Sequence, residues 1–212
     1  MKKVLFLSSI LSVALALYSF EIQDENAVLE IGEIAPLQDN KMVSVNDLEL
    51  SLADLKRNNG LLVIFSSNSC PFVIGEEGRG QGWEGRYREL QATAKGMGIG
   101  MVLVNSNEAK RDGSESMEEM KRRAKELNYT CQYVLDKNHQ LADAFGARTT
   151  PHVFLFNKEM KLVYKGAIDD NYEKASEVKE HWLQNAMKNL AAGKTIAPNS
   201  TRQLGCSIKR IQ

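Results

Sequence analysis

Leu61 to Phe65 is an unbroken run of large apolar residues that follows Asn59-Gly60 and leads straight into Ser66-Ser67-Asn68-Ser69-Cys70-Pro71-Phe72-Val73. A run this short, bounded by a turn signal, predicts a buried central strand. Pro71 has no backbone N–H to donate and suits the first position of a helix. Cys70 is therefore expected where a central strand hands over to a helix N-terminus. Free amides and the helix dipole favour an anion there, so a thiol at that point ionises more readily. The competing reading is an inert, buried cysteine packed like a small hydrophobe.

The chain on either side of this stretch has α/β character. Met1-Lys2-Lys3 precedes the apolar run Val4 to Leu17, with small residues at Ala14 and Ala16. That is the pattern of a secretory signal covering residues 1–20, and the run is short for a membrane-spanning helix. Export to a bacterial periplasm or the extracellular space is the expectation, with no membrane attachment after cleavage. The 212 residues carry 27 basic and 27 acidic side chains, and 43% are hydrophobic. No basic stripe appears, so nucleic acid is not an expected partner. One domain, 21–212, with a sizeable core and a tail at 194–212, fits the length.

Hydrophobic periodicity orders the elements. Glu21 to Leu55 reads as an extended arm or hairpin, with a helical turn at Ser51–Leu55. Glycines crowd positions 75 to 85, and each costs about 1 kcal/mol in a helix interior. A short helix after Pro71, a glycine-rich loop near Glu77–Gly82 and a longer helix from Trp83 to about Lys95 follow. The loop matches no phosphate-binding fingerprint. Ile99–Val104 is a second buried strand, and Ser114 or Ser116 caps a helix facing inward with Met117, Met120, Ala124 and Leu127. Tyr133–Leu135 is a third strand, and a short helix at Leu141–Phe145 stops at Gly146. Thr149-Thr150-Pro151 leads into the strand Val153–Phe156, which turns into Leu162–Tyr164. The last helix is expected from Tyr172 to Ala192, with Val178, Trp182, Ala186 and Leu190 inward.

Three cysteines, Cys70, Cys131 and Cys206, permit at most one internal disulfide. Cys206 lies in a polar tail expected to be mobile, which makes it a candidate to resolve a mixed disulfide. Cys131, at the start of a strand, reads as packing. His139, His152 and His181 have no ligand spacing with the cysteines, so no metal and no cofactor are expected. His152 follows Pro151 and reads as structural. Asp169 and Asp170 read as turn and helix caps rather than as acid and base.

Asn68-Ser69-Cys70-Pro71-Phe72-Val73, Thr150-Pro151, Gly166-Ala167-Ile168-Asp169-Asp170-Asn171 and Gly205-Cys206-Ser207-Ile208-Lys209 together resemble the thioredoxin superfamily. Within it they resemble the redoxin branch, related to alkyl hydroperoxide reductase and thiol-specific antioxidant proteins. The Asn-x-Cys-Pro-aromatic-Val pattern is similar to a peroxiredoxin-like group. The resemblance implies a thioredoxin-like α/β fold, a central mixed sheet flanked by helices with an N-terminal extension. It also implies that Cys70 is the nucleophile and Pro151 the cis-proline facing it; Cys206, the candidate resolving residue of the tail, completes the expected catalytic set. Asn68, Pro71, Phe72 and Thr150 would then line the substrate site.

The chain departs from the family in two ways. Val73 replaces the second cysteine of Cys-x-x-Cys, so Cys70 has no neighbour in sequence to resolve a mixed disulfide. Where peroxiredoxins carry Pro-x-x-x-Thr-x-x-Cys, this chain has Val63 and Ser67. The expected function is an exported thiol–disulfide oxidoreductase with a redox-homeostasis or antioxidant role. It would act on protein or small-molecule disulfides and oxidised thiols and would draw on an external thiol reductant. A redox-inactive binding module and a one-cysteine peroxidase are the alternatives.

Overall fold

The computed structural model describes residues 27–212; the expected secretory signal lies outside them. An irregular arm leads into a hairpin of β1 (Met42–Ser44) and β2 (Glu49–Leu50). One helical turn, α1 (Leu52–Leu55), is closed by a capping box between Ser51 and Asp54. β3 (Gly60–Ser66) is buried along its whole length. α2 (Pro71–Ile74) is a single turn with Pro71 at its start, and it stops at Gly75, whose φ of 81° suits glycine. The glycine-rich loop and a 3₁₀ turn at Glu84–Arg86 lead to α3 (Tyr87–Gly96). Then come β4 (Ile99–Asn105), α4 (Met117–Glu126), β5 (Gln132–Leu135) and α5 (Gln140–Ala144). Of the two serines proposed as a cap, Ser116 caps α4, its side chain accepting the Glu119 N–H.

The second half supplies β6 (Thr149–Thr150), β7 (His152–Phe156), β8 (Leu162–Gly166), α6 (Trp182–Ala191) and β9 (Cys206–Ser207). Seven strands form one mixed sheet in the order β2-β1-β5-β4-β3-β7-β8. β3, β4 and β5 run parallel; β7 lies antiparallel to β3, and β8 to β7. This is the thioredoxin-like α/β arrangement expected from the sequence. β6 and β9 form a separate two-stranded ribbon.

The alternation of β3 divides the core. Leu62 and Ile64 face α3, α4 and α6 through Leu90, Met120, Leu183 and Met187. Leu61, Val63 and Phe65 face α1 and α5 through Leu52, Leu141 and Ala142. A strand buried on both faces by this much apolar surface is a fixed platform, and Cys70 sits just past its end.

Two expectations need correction. The last helix begins at Trp182, not at Tyr172. Asn171 and Asp170 explain the delay: the Asn171 side chain accepts the N–H groups of Glu173 and Lys174, and that of Asp170 accepts those of Lys179 and Glu180. The backbone donors of this stretch thus go to side chains, which competes with a helix. The buried face is Leu183, Ala186 and Met187, with Trp182, Val178 and Leu190 only half-buried. The second correction concerns the tail. Residues 206–210 are docked: Ile208 is buried in the α1/α5 core, its N–H bonds to Arg148 O at 3.0 Å, and Arg210 Nε reaches Asp143 at 2.7 Å.

Candidate active site at the Cys70 edge

The residues between β3 and α2 are held by one buried carboxylate. Glu115 has no exposed surface. It accepts hydrogen bonds from Ser67 Oγ (2.6 Å), Ser69 Oγ (2.6 Å), the Asn68 backbone N–H (2.9 Å) and Asn105 Nδ2 (2.7 Å). Ser67 Oγ in turn accepts the N–H groups of Ser69 and Cys70, each at 3.1 Å. The Asn68 side chain is used up locally. Its Nδ2 donates to Ser114 O and its Oδ1 accepts from Tyr133 OH, both at 3.0 Å. Four donors converging on one carboxylate let the chain turn from strand to helix without leaving polar groups unpaired. Sequence reasoning missed Glu115, which sits in a polar stretch without periodicity.

The other side of Cys70 is made by β6 and the tail. The Thr150-Pro151 peptide bond is cis, and Cys70 S–H donates to Thr150 O at 2.9 Å. β9 lies antiparallel to β6, with Thr150 opposite Cys206. Gly205 permits this approach: a Cβ there would stand 2.3 Å from Thr150 O, a distance no side chain tolerates. Cys206 then meets Cys70. Both cysteines line one cavity: Cys206 stands opposite Thr150, whose carbonyl accepts the Cys70 S–H. The thiol of Cys206 is pushed up to about 11, first by burial, then by the hydrogen bond and charge of Cys70; Lys209 and the Phe72 N–H pull the other way. The sequence assigned the amides at the start of α2 to Cys70. In the structure the Val73 and Ile74 N–H groups close back on Cys70 O, and the Cys70 S–H turns to Thr150 O instead.

A cavity of about 230 Å³ opens beside the two thiols, lined among others by Cys70, Pro71, Thr150, Cys206, Asn107 and Lys209. The sequence-named residues Cys70, Pro71, Thr150 and Cys206 therefore share one site. Pro151 is buried behind it, and the Phe72 ring turns away to stack on Tyr172, centroids 4.6 Å apart.

The model of the Redoxin family matches residues 32–181. The chain belongs to the redoxin family. Among solved structures this redoxin is similar to an uncharacterized conserved protein from Geobacillus kaustophilus, at 27% identity and a TM-score of 0.78, covering 87% of this chain and 94% of that one. It is also similar to a hypothetical protein from Sinorhizobium meliloti 1021, at 28% identity and a TM-score of 0.77, covering 87% and 97%. The thioredoxin domain of a thiol-disulfide oxidoreductase from Bacteroides vulgatus shares the fold, at 21% identity and a TM-score of 0.50, covering 66% and 89%. No curated protein matches the chain. Cys206 lies beyond the stretch that the family model covers, so its place beside Cys70 comes from the structure of this redoxin.

Cys131, His152 and Asp169 do not line the cavity beside the two thiols. Cys131 accepts a hydrogen bond from Gln91 Nε2 at 3.1 Å, and burial pushes its thiol up to about 12. His152 is buried against Phe154, and burial first, then Lys165 and Arg148, lower it to about 3, so the ring is neutral near pH 7. Asp169 does more than cap a turn. It is buried and accepts Trp83 Nε1 and Arg86 Nη1, each at 2.7 Å, tying the loop after β8 to the start of α3. Among the described residues no group of three or more His, Cys, Asp or Glu could hold a metal ion.

Proposed function

We propose that this redoxin is an exported thiol–disulfide oxidoreductase whose redox pair is Cys70 and Cys206. The observation that carries the reading is that a tail strand pairs with β6 and sets Cys206 opposite Thr150, the residue whose carbonyl accepts the Cys70 S–H, so that the two cysteines meet at one cavity. Val73 removes the resolving cysteine of Cys-x-x-Cys, and β9 returns a second thiol from the far end of the sequence. The steps follow from thiol–disulfide exchange. Cys70 thiolate attacks one sulfur of a disulfide R–S–S–R, forming Cys70–S–S–R and releasing RS⁻, which takes up a proton. Cys206 gives up its proton and attacks the Cys70 sulfur. The Cys70–Cys206 disulfide forms and the second RS⁻ leaves. Two electrons pass from the protein dithiol to the substrate, and an external dithiol restores the pair.

The same placement favours this reading over a binding module, which has no use for a second thiol at the site. It is also favoured over peroxide chemistry by the engagement of Ser67. That hydroxyl, where a peroxidase motif has threonine, donates to Glu115 and accepts two backbone N–H groups, so it is committed to the loop. Export rests on the Lys2-Lys3 and Val4 to Leu17 pattern. The test is peptide mapping of the secreted protein after mild oxidation under non-reducing conditions. A Cys70–Cys206 disulfide is expected, with Cys131 free. Oxidation that leaves Cys206 unpaired, or pairs Cys131, overturns the reading.

A further inference from the structure

The cavity beside Cys70 has an uneven charge. Its lining is Ser67, Ser69, Asn107 and Lys110 on one bank and Ser207 and Lys209 on the other, with no Asp or Glu. Among the described residues neither lysine is paired with a carboxylate; Lys209 Nζ donates to Ser207 Oγ at 3.1 Å, and Lys110 is exposed. Asn107 adds an independent sign. It is 2% exposed, its Oδ1 is taken by the Lys209 backbone N–H at 2.9 Å, and its Nδ2 is the one buried side-chain polar atom among the described residues with no partner. A buried amide donor without an acceptor costs free energy comparable to a lost hydrogen bond, and such an exception calls for a cause. Two ammonium groups and an unspent N–H donor form a donor set for an anion, while the Ser67 and Ser69 hydroxyls are spent on Glu115. At about 230 Å³ the space suits a small molecule or the end of one rather than a folded partner. The edge of β6 that would pair with an extended peptide is already taken by β9.

We propose that this cavity binds the carboxylate of a low-molecular-weight disulfide, so that the substrates of the redoxin are small acidic disulfides. The inference rests on the thiol–disulfide reading above. Lys110, Lys209 and Asn107 hold the anionic end, which places the adjacent sulfur beside Cys70. These three residues set specificity and orientation; the bond-making belongs to Cys70 and Cys206.

The test compares three linear disulfides of similar size on the full mature chain: dithiodiglycolate, bis(2-hydroxyethyl) disulfide and cystamine, which are anionic, neutral and cationic. The expected order of kcat/KM is anionic over neutral over cationic. The anionic-to-neutral ratio should be about tenfold at low ionic strength and shrink with salt, as for screened charges. In the Lys110→Gln, Lys209→Gln double variant that ratio should fall toward one. Asn107→Asp keeps the acceptor that ties down Lys209 and replaces the free donor with a negative oxygen, so the ratio should invert. Equal rates for the three disulfides, or a ratio that the lysine variant leaves in place, overturn the proposal while the thiol–disulfide reading stands. A second readout needs no turnover: alkylation of Cys70 by iodoacetate relative to iodoacetamide, mapped by mass spectrometry. A lysine-dependent preference for iodoacetate with no disulfide reduced keeps the anion site and sinks the thiol–disulfide reading. No preference in either assay sinks the anion site.

Discussion

Cys70 stands between two banks built in opposite ways. On one bank the loop from Ser66 to Ser69 is fastened to Glu115 by three hydrogen bonds, and Asn105 and Tyr133 complete a buried network. On the other bank a two-residue strand, β9, holds Cys206 against Thr150, with its anchors at Ile208 and beyond. The first bank is interior structure whose polar groups have nowhere else to go. The second is an added surface strand whose backbone groups can return to water at small cost. The difference teaches a division of labour. The nucleophile is fixed by the core, and the second thiol is delivered by a docked strand at the surface.

Glu115→Ala should show the largest effect. It strips the acceptor from four donors, two of them buried, at a cost of about 3 kcal/mol or more. Urea unfolding checks it, and Glu115→Gln should recover a good part of the loss. A Glu115→Ala protein within about 0.5 kcal/mol of the parent would show that this bank is no more structural than the other.

Cys206→Ser comes next and tests the second bank. Stability should hardly change, whereas turnover with an external thiol should fall by about an order of magnitude, because resolution is a separate step. Intact mass should show Cys70 trapped as a mixed disulfide with substrate. A variant that turns over at the parental rate would mean that the tail is only a clasp.

Gly205→Val is milder in chemistry and sharper in logic. Both thiols remain, but the new side chain would collide with Thr150 O and lift the tail. Formation of the Cys70–Cys206 disulfide should slow several-fold, with alkylation of Cys70 faster than in the parent. Unchanged disulfide formation would show that docking of β9 does not set the pairing rate.

The two banks also differ in how far the sequence reveals them. Leu61 to Val73 is legible because a buried strand, a Pro at a helix start and a cysteine between them are all local signals. Thr150-Pro151 before Val153–Phe156 is legible for the same reason. Glu115 is invisible because its partners at 67–69 are distant in sequence and one carboxylate in a polar loop has no pattern. Cys206 could be named, but only its reach was argued, from a tail taken to be mobile. Its docking depends on a two-residue pairing and on one glycine, too short for periodicity to register. The start of the last helix is not legible because apolar spacing extends back to Tyr172, while the Asp170 and Asn171 side chains take the backbone donors of 173–180.

The smallest effect is a titration. Cys206 is held up to about 11 by burial and by the hydrogen bond and charge of Cys70, while Lys209 and the Phe72 N–H favour its thiolate. Near pH 7 it is therefore a neutral thiol in the resting dithiol. When Cys70 is consumed in a mixed disulfide, its sulfur can no longer ionise, so a charge that would oppose the Cys206 thiolate is removed. Two of the causes that raise Cys206 disappear and both that lower it remain, so its pKa should fall. The resolving thiol would become a better nucleophile only after the first exchange. Alkylation rate against pH at Cys206 in Cys70→Ala measures this without turnover. The midpoint should drop below the parent's, and adding Lys209→Gln should raise it again. A midpoint in Cys70→Ala that stays at the parent's value, or rises, would mean that burial alone sets Cys206 and that the two thiols do not speak to each other.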